Sequence, residues 1–114
     1  MKANELVELA QEYFLRIEEM THRLTSGNVS HLGATMRLYA RDAIKYLEME
    51  SKDSNFISTD YEYELIKKSI VWLHIIEDYS ARLTTGNVSH DSRTIRGKAI
   101  RSREFLIKHR YENN

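Results

Sequence analysis

The 114-residue chain contains no cysteine, no proline and only four glycines, Gly27, Gly33, Gly86 and Gly97. Without cysteine there is no disulfide staple, no thiolate nucleophile and no sulfur-ligated metal site, and the composition fits a reducing compartment. About six prolines would be expected at average usage. Their absence, with so little glycine, points to long uninterrupted helices and short connections. No apolar run approaches ~18 residues and no apolar leader follows the N-terminus, so neither membrane spanning nor secretion is expected, and a cytoplasmic location is. Net charge is missing too: 17 basic residues face 17 acidic ones, which argues against indiscriminate binding to a polyanion.

What is present is a balanced globular composition, 41% hydrophobic and 30% charged, appropriate to a single domain over residues 1–114. A chain of this length buries roughly two-thirds of its unfolded surface, enough for a core without metal or disulfide. Self-comparison gives the strongest signal. Arg23-Leu24-Thr25-Ser26-Gly27-Asn28-Val29-Ser30-His31 recurs as Arg82-Leu83-Thr84-Thr85-Gly86-Asn87-Val88-Ser89-His90, offset by 59 with one mismatch in nine. Chance yields this roughly once in 10⁵ such sequences, so the chain reads as two copies of one unit, about 5–50 and 64–109.

Each unit reads as helix, tight turn, helix. Leu6, Val7, Ala10, Tyr13, Phe14, Ile17, Met20 and Leu24 form one stripe at the helical period, with Asn4 a candidate N-cap; Leu32, Met36, Tyr39, Ala40, Ala43 and Leu47 form the next, with Ser30 typed to cap it, fading near Ser51. In the second unit Thr59 and Glu62 make a capping-box signature. Leu65, Ile66, Ser69, Trp72, Leu73, Ile76, Tyr79 and Leu83 are the third stripe, and Val88, Ile95, Ala99, Ser102 and Leu106 the fourth. The expected fold is an all-α, antiparallel up-down-up-down four-helix bundle built from two duplicated helical hairpins.

In that topology both Gly-Asn-Val-Ser-His turns lie side by side at one end, about a pseudo-twofold axis. Turn chemistry alone accounts for Gly, Asn, Val and Ser, which close one helix and open the next. It accounts less well for the repeated arginine and histidine. Arg23, Asn28, His31, Arg82, Asn87 and His90 are therefore the candidate binding residues, set where two helix N-termini would favour a phosphate or carboxylate. Asp91 follows His90 where Leu32 follows His31, so the two half-sites should differ in strength.

Charge is unevenly spread. Residues 1–25 and 51–90 each carry two excess acidic groups, while 91–114 hold seven basic against three acidic. Arg93, Arg96, Arg101 and Arg103 on the fourth helix are the alternative, a nucleic-acid face, or else a solvated face balanced by the acidic helices. Val71 and Ile75, i and i+4 on the third helix, either widen the core or offer a homodimer contact.

Enzymatic motifs are weak. Arg103…His109 resembles the Arg-x(4–6)-His pair of HEPN-type ribonucleases, but ten arginines and five histidines give about 1.3 such pairs by chance and Arg16…His22 is a second. Glu19-Met-Thr-His22 resembles the Glu-x-x-His element of di-iron bundles, yet its mate is Asp78…Ala81 and the other helices lack inward carboxylates. His74, beside Trp72, reads as packing. No phosphate-loop or dinucleotide pattern occurs. No enzyme, no cofactor and no metal are expected. The expectation is a small binding or regulatory protein that contacts a protein partner or an anionic group through its paired turns.

Overall fold

The sequence periodicity produces four helices, α1 (Ala3–Thr21), α2 (Val29–Lys52), α3 (Thr59–Ala81) and α4 (Ser89–His109), in a computed structural model that describes residues 2–24, 29–52, 59–82 and 89–110. They pack as an all-α four-helix bundle, and no strand occurs among the described residues. α1 and α3 each touch all three other helices, so these two form the inner diagonal and α2 and α4 flank it. Among the described residues no helix is long and apolar enough to cross a membrane.

Helix starts differ from the sequence expectation at two points. α1 begins at Ala3 with Lys2 in the N-cap position and no side-chain cap, because Ala3 is itself buried and extends the apolar stripe one turn towards the N-terminus. The Lys2 carbonyl accepts the Leu6 amide at 3.1 Å, which leaves Asn4 inside the helix. α2 begins at Val29, so Ser30 lies within its first turn instead of capping it. α3 begins at Thr59, where the capping signature puts its start.

The core follows the repeat closely. Leu6, Val7, Ala10, Phe14, Ile17 and Thr21 are buried in α1, and so are Leu65, Ile66, Ser69, Leu73, Ile76 and Ser80, each 59 positions on, in α3. Gly33, Met36, Ala40, Ala43 and Leu47 are buried in α2, and Ser92, Ile95, Ala99, Ser102 and Leu106 are their buried counterparts in α4. Identity drifts across these pairs while burial does not, as a core needing chiefly volume and pattern permits. Several expected stripe members are only half-buried: Tyr13, Met20, Leu32, Tyr39, Trp72 and Tyr79 line the rim of the core. Aromatic rims of this kind bury their rings and keep a polar end near water. Leu83 and Val88 lie outside the described residues.

One carbonyl at the end of each inner helix is closed differently. The Arg37 guanidinium donates to the Thr21 carbonyl at 3.1 Å and, through Nε, to the Thr21 hydroxyl at 3.2 Å. At the counterpart carbonyl, Ser80, the donor is the Ser92 hydroxyl. Ser92 replaces Gly33, and Gly33 has no room for a side chain: a Cβ there would stand 2.8 Å from Leu24 Cβ and 2.9 Å from the Leu24 carbonyl. Close approach at Gly33 excludes a short side-chain donor, so the long arm of Arg37 reaches the Thr21 carbonyl instead, beside the Leu24 amide that the same oxygen accepts at 3.0 Å.

Two surface readings also change. His74 is exposed, with its ring nitrogens 3.6 and 3.7 Å from the Glu77 and Asp78 carboxylates, and does not serve as packing. Val71 is exposed, at 55%, so it does not widen the core, while Ile75 is half-buried.

Candidate functional site

The C-terminal half of α1 is closed by three short backbone bonds, from the amides of His22, Arg23 and Leu24 to the carbonyls of Glu19, Met20 and Thr21 at 3.0–3.2 Å. This tightening fixes the direction in which Arg23 leaves the helix, and a cation there also suits the negative end of the helix dipole. Arg16, Met20 and Arg23 are spaced i, i+4, i+7 and so share a face. Across from that face lies Lys98 of α4.

Arg16, Glu19, Met20, Arg23 and Lys98 together line a cleft of about 200 Å³ between α1 and α4. Three cations meet one carboxylate there. Arg16 also pairs with Glu12 at 3.3 Å on the exposed side. The Lys98 ammonium lies 4.9 Å from the centre of the Tyr13 ring. Burial pushes the Lys98 pKa below the usual lysine value, and repulsion from Arg16 and Arg101 adds to this against a smaller opposing pull from Glu12. A lysine held among other cations gains most from an incoming anion, since the anion relieves repulsion as well as making contact.

The same positions 59 residues along give a different outcome. Met20 and Lys98 correspond to Tyr79 and Tyr39, Arg23 to Arg82, Arg16 to Ile75 and Glu19 to Asp78. In that second groove, between α3 and α2, the Tyr39 and Tyr79 rings stack with centroids 5.6 Å apart, and the Arg82 guanidinium sits 4.6 Å from the Tyr79 ring centre. Donation of the Tyr39 hydroxyl to Tyr79 raises the Tyr39 phenol above its ordinary pKa, repulsion from a Tyr79 phenolate acts in the same direction, and burial adds. Two tyrosine rings thus pack together at the positions that correspond to Met20 and Lys98. The two grooves flanking the turns therefore differ in their lining.

Of the sequence-predicted residues, Arg23, His31 and Arg82 are exposed, and Arg82 is engaged by Tyr79. Asn28 and Asn87 lie outside the described residues, and His90 opens α4 with its side chain outside them. On α4, Arg93, Arg96 and Arg101 are exposed. Arg103 differs from the expectation of a free basic face: it is half-buried and donates to Glu77 at 2.7 Å, because its stem lies against α3 where a carboxylate is available. His109 stacks on Phe105 at 4.1 Å between centroids. Arg103 and His109 thus each make a contact of their own, one to a carboxylate of α3 and one to a ring of α4. Among the described residues no group of three or more histidines, aspartates and glutamates could hold a metal ion.

Sequence reasoning missed Arg16 and Lys98. Both sit at stripe edges, and each replaces a non-charged residue of the other unit, Ile75 and Tyr39. Looking for differences between the copies, as well as identities, would have marked them.

Comparisons with protein-family models, with curated protein sequences and with solved structures return no match.

Proposed function

We propose that the protein is a small, non-enzymatic binding or regulatory protein, acting in the cytoplasm, that captures an anionic group of a macromolecular partner at the end of the bundle carrying the repeated turns. The observation that carries this reading is the cationic α1–α4 cleft, which includes Arg23, a residue that the repeat had already singled out. Arg23 lines that cleft, His31 and Arg82 are further exposed polar groups, and Asn28, Asn87 and His90 complete the proposed surface.

The reading needs both turns at one end, and hence an up-down-up-down chain of two duplicated hairpins. Pairings along the helices support that order. Arg37 meets Thr21 and Arg41 meets Glu18, so the chain climbs α2 as it descends α1. Between α2 and α3 the Tyr61 hydroxyl donates to Glu50 and Lys68 donates to the Tyr46 hydroxyl, in the same opposed sense. The shared burial pattern at an offset of 59 supports duplication. Self-association through Val71 and Ile75 belongs to the same proposal: their counterparts are Glu12 and Arg16, an ion pair, so the second unit carries an apolar pair where the first is charged.

Affinity capture from the native host, quantified by mass spectrometry, tests the reading. Wild-type protein should retain a partner that the Arg23→Ala/Arg82→Ala variant loses, with the two proteins melting at the same temperature. Equal recovery of that partner by the variant would sink it. The nucleic-acid alternative has less support, because Arg103 is held by Glu77. If it were correct, binding to DNA or RNA would fall steeply with salt and with charge reversal at Arg96 and Arg101. The expected result is no measurable binding even at low salt, by fluorescence anisotropy.

A further inference from the structure

We infer that the α1–α4 cleft is a site for one phosphate monoester dianion, and that the tyrosine-filled α2–α3 groove is the same site closed off. The inference rests on the reading that this end of the bundle binds an anionic group, and it names that group.

Charge, size and shape point the same way. The lining of Arg16, Arg23, Lys98 and Glu19 carries two positive charges in excess. Glu12 on Arg16 and Arg101 beside Lys98 offset one another, which leaves that excess unchanged. A phosphate monoester brings about −1.5 to −2 at pH 7, so it neutralises this set, whereas a carboxylate leaves a charge over. Two guanidiniums offer planar forks to phosphate oxygens, and Lys98 adds a point charge. The volume of about 200 Å³ is below the range usual for drug-sized ligands. It suits a phosphoryl group with its first few carbons, for which Met20 forms the apolar side.

The second groove supplies an internal control. It keeps one arginine, Arg82, and replaces Arg16, Met20 and Lys98 by Ile75, Tyr79 and Tyr39. Its two rings pack on each other at a tilt of 35°, and its remaining cation lies over one of them. Two of the three cations are lost there, replaced by an aliphatic side chain and an aromatic ring, and all three are present in the α1–α4 cleft.

Titration of the full chain with inorganic phosphate, with a phosphoserine peptide and with its unphosphorylated form, followed by calorimetry, tests this. Wild type should bind one equivalent of a phosphorylated species and none of the unphosphorylated peptide. Transplanting the plug, Met20→Tyr/Lys98→Tyr, should weaken that binding at least about tenfold, the loss of one or more charge-assisted hydrogen bonds. Lys98→Met should do the same without lowering the melting temperature, since it removes a cation from among cations; it serves if the double variant does not fold. The reciprocal variant Tyr39→Lys/Ile75→Arg/Tyr79→Met should bind two equivalents. A phosphopeptide binding at least about tenfold tighter than inorganic phosphate identifies a phosphorylated partner as the source; equal affinity identifies the free ion. Unchanged phosphate binding in both Lys98 variants, or no binding of either phosphate species to wild type, overturns the inference. In the latter case, partner capture that still depends on Arg23 leaves the broader binding function standing. Phosphate binding without Arg23-dependent capture does the reverse.

Discussion

Replacing Phe14 by alanine is expected to lower the free energy of unfolding by about 3–5 kcal/mol, the range for deleting a fully buried phenylalanine. Phe14 has no exposed surface, lies on the inner helix α1, and meets the edge of the Trp72 indole with ring centroids 6.4 Å apart. Its counterpart in α3 is Leu73, also fully buried. One half of the core thus holds the larger ring at this level and the other half the smaller side chain. Removing the ring leaves a gap in the core and forfeits the edge-on contact with Trp72. Domains of this size are stable by only about 5–15 kcal/mol, so the variant should melt more than about 10 °C lower. Thermal and urea unfolding followed by circular dichroism give the comparison. A loss below about 1 kcal/mol would mean that the packing around Phe14 is wrong.

The second large effect is a contrast of sign for one kind of substitution. Gly33→Ala should destabilise by about 1–3 kcal/mol, the usual cost of forcing atoms into a packed contact. The new methyl would meet Leu24 Cβ at 2.8 Å and a backbone carbonyl at 2.9 Å, neither of which can swing aside. Gly97→Ala should be neutral or stabilise by up to about 1 kcal/mol, because alanine is the better helix former. Its methyl would meet the end of the Arg101 guanidinium at 2.9 Å, a flexible and exposed group that can move. Both glycines are inside helices, so propensity alone predicts a gain at both. A gain at Gly33 measured by urea unfolding would contradict the close crossing of α2 over the end of α1.

These cases show what can be read from the chain and what cannot. Helix number, approximate limits and nearly every core residue follow from periodicity, because a 3.6-residue stripe has a single way to be buried. The rim was less legible. Tyr13, Tyr39, Trp72 and Tyr79 fit the stripe by spacing, but their size carries them to its edge, where burial depends on the neighbouring helix. Gly33 reads in sequence as a weak helical residue; that it is a contact point depends on where Leu24 comes to rest. The paired turns were visible as an identity, and Arg23 with them. Arg16 and Lys98 were not, because a cleft is made by residues from two helices whose facing is decided only by packing. Arg103 shows the converse, a charge that looks free in a count along α4 and is taken by Glu77 of α3.

Carrying two versions of one groove on a single chain has a consequence that a symmetric dimer of the same hairpin would not share. In a dimer of identical subunits every substitution is made twice, so exchanging a Tyr39–Tyr79 type of stack for an open cleft would empty both grooves and forfeit both sets of aromatic contacts. Joined in one chain, the grooves can change separately. Tyr39 and Tyr79 keep one of them filled, while Met20 and Lys98 leave the other open at the cost of one stack only. Asymmetry at the rim, over a core whose buried positions remain matched, lets a small bundle hold a charged cavity in one groove without opening the other.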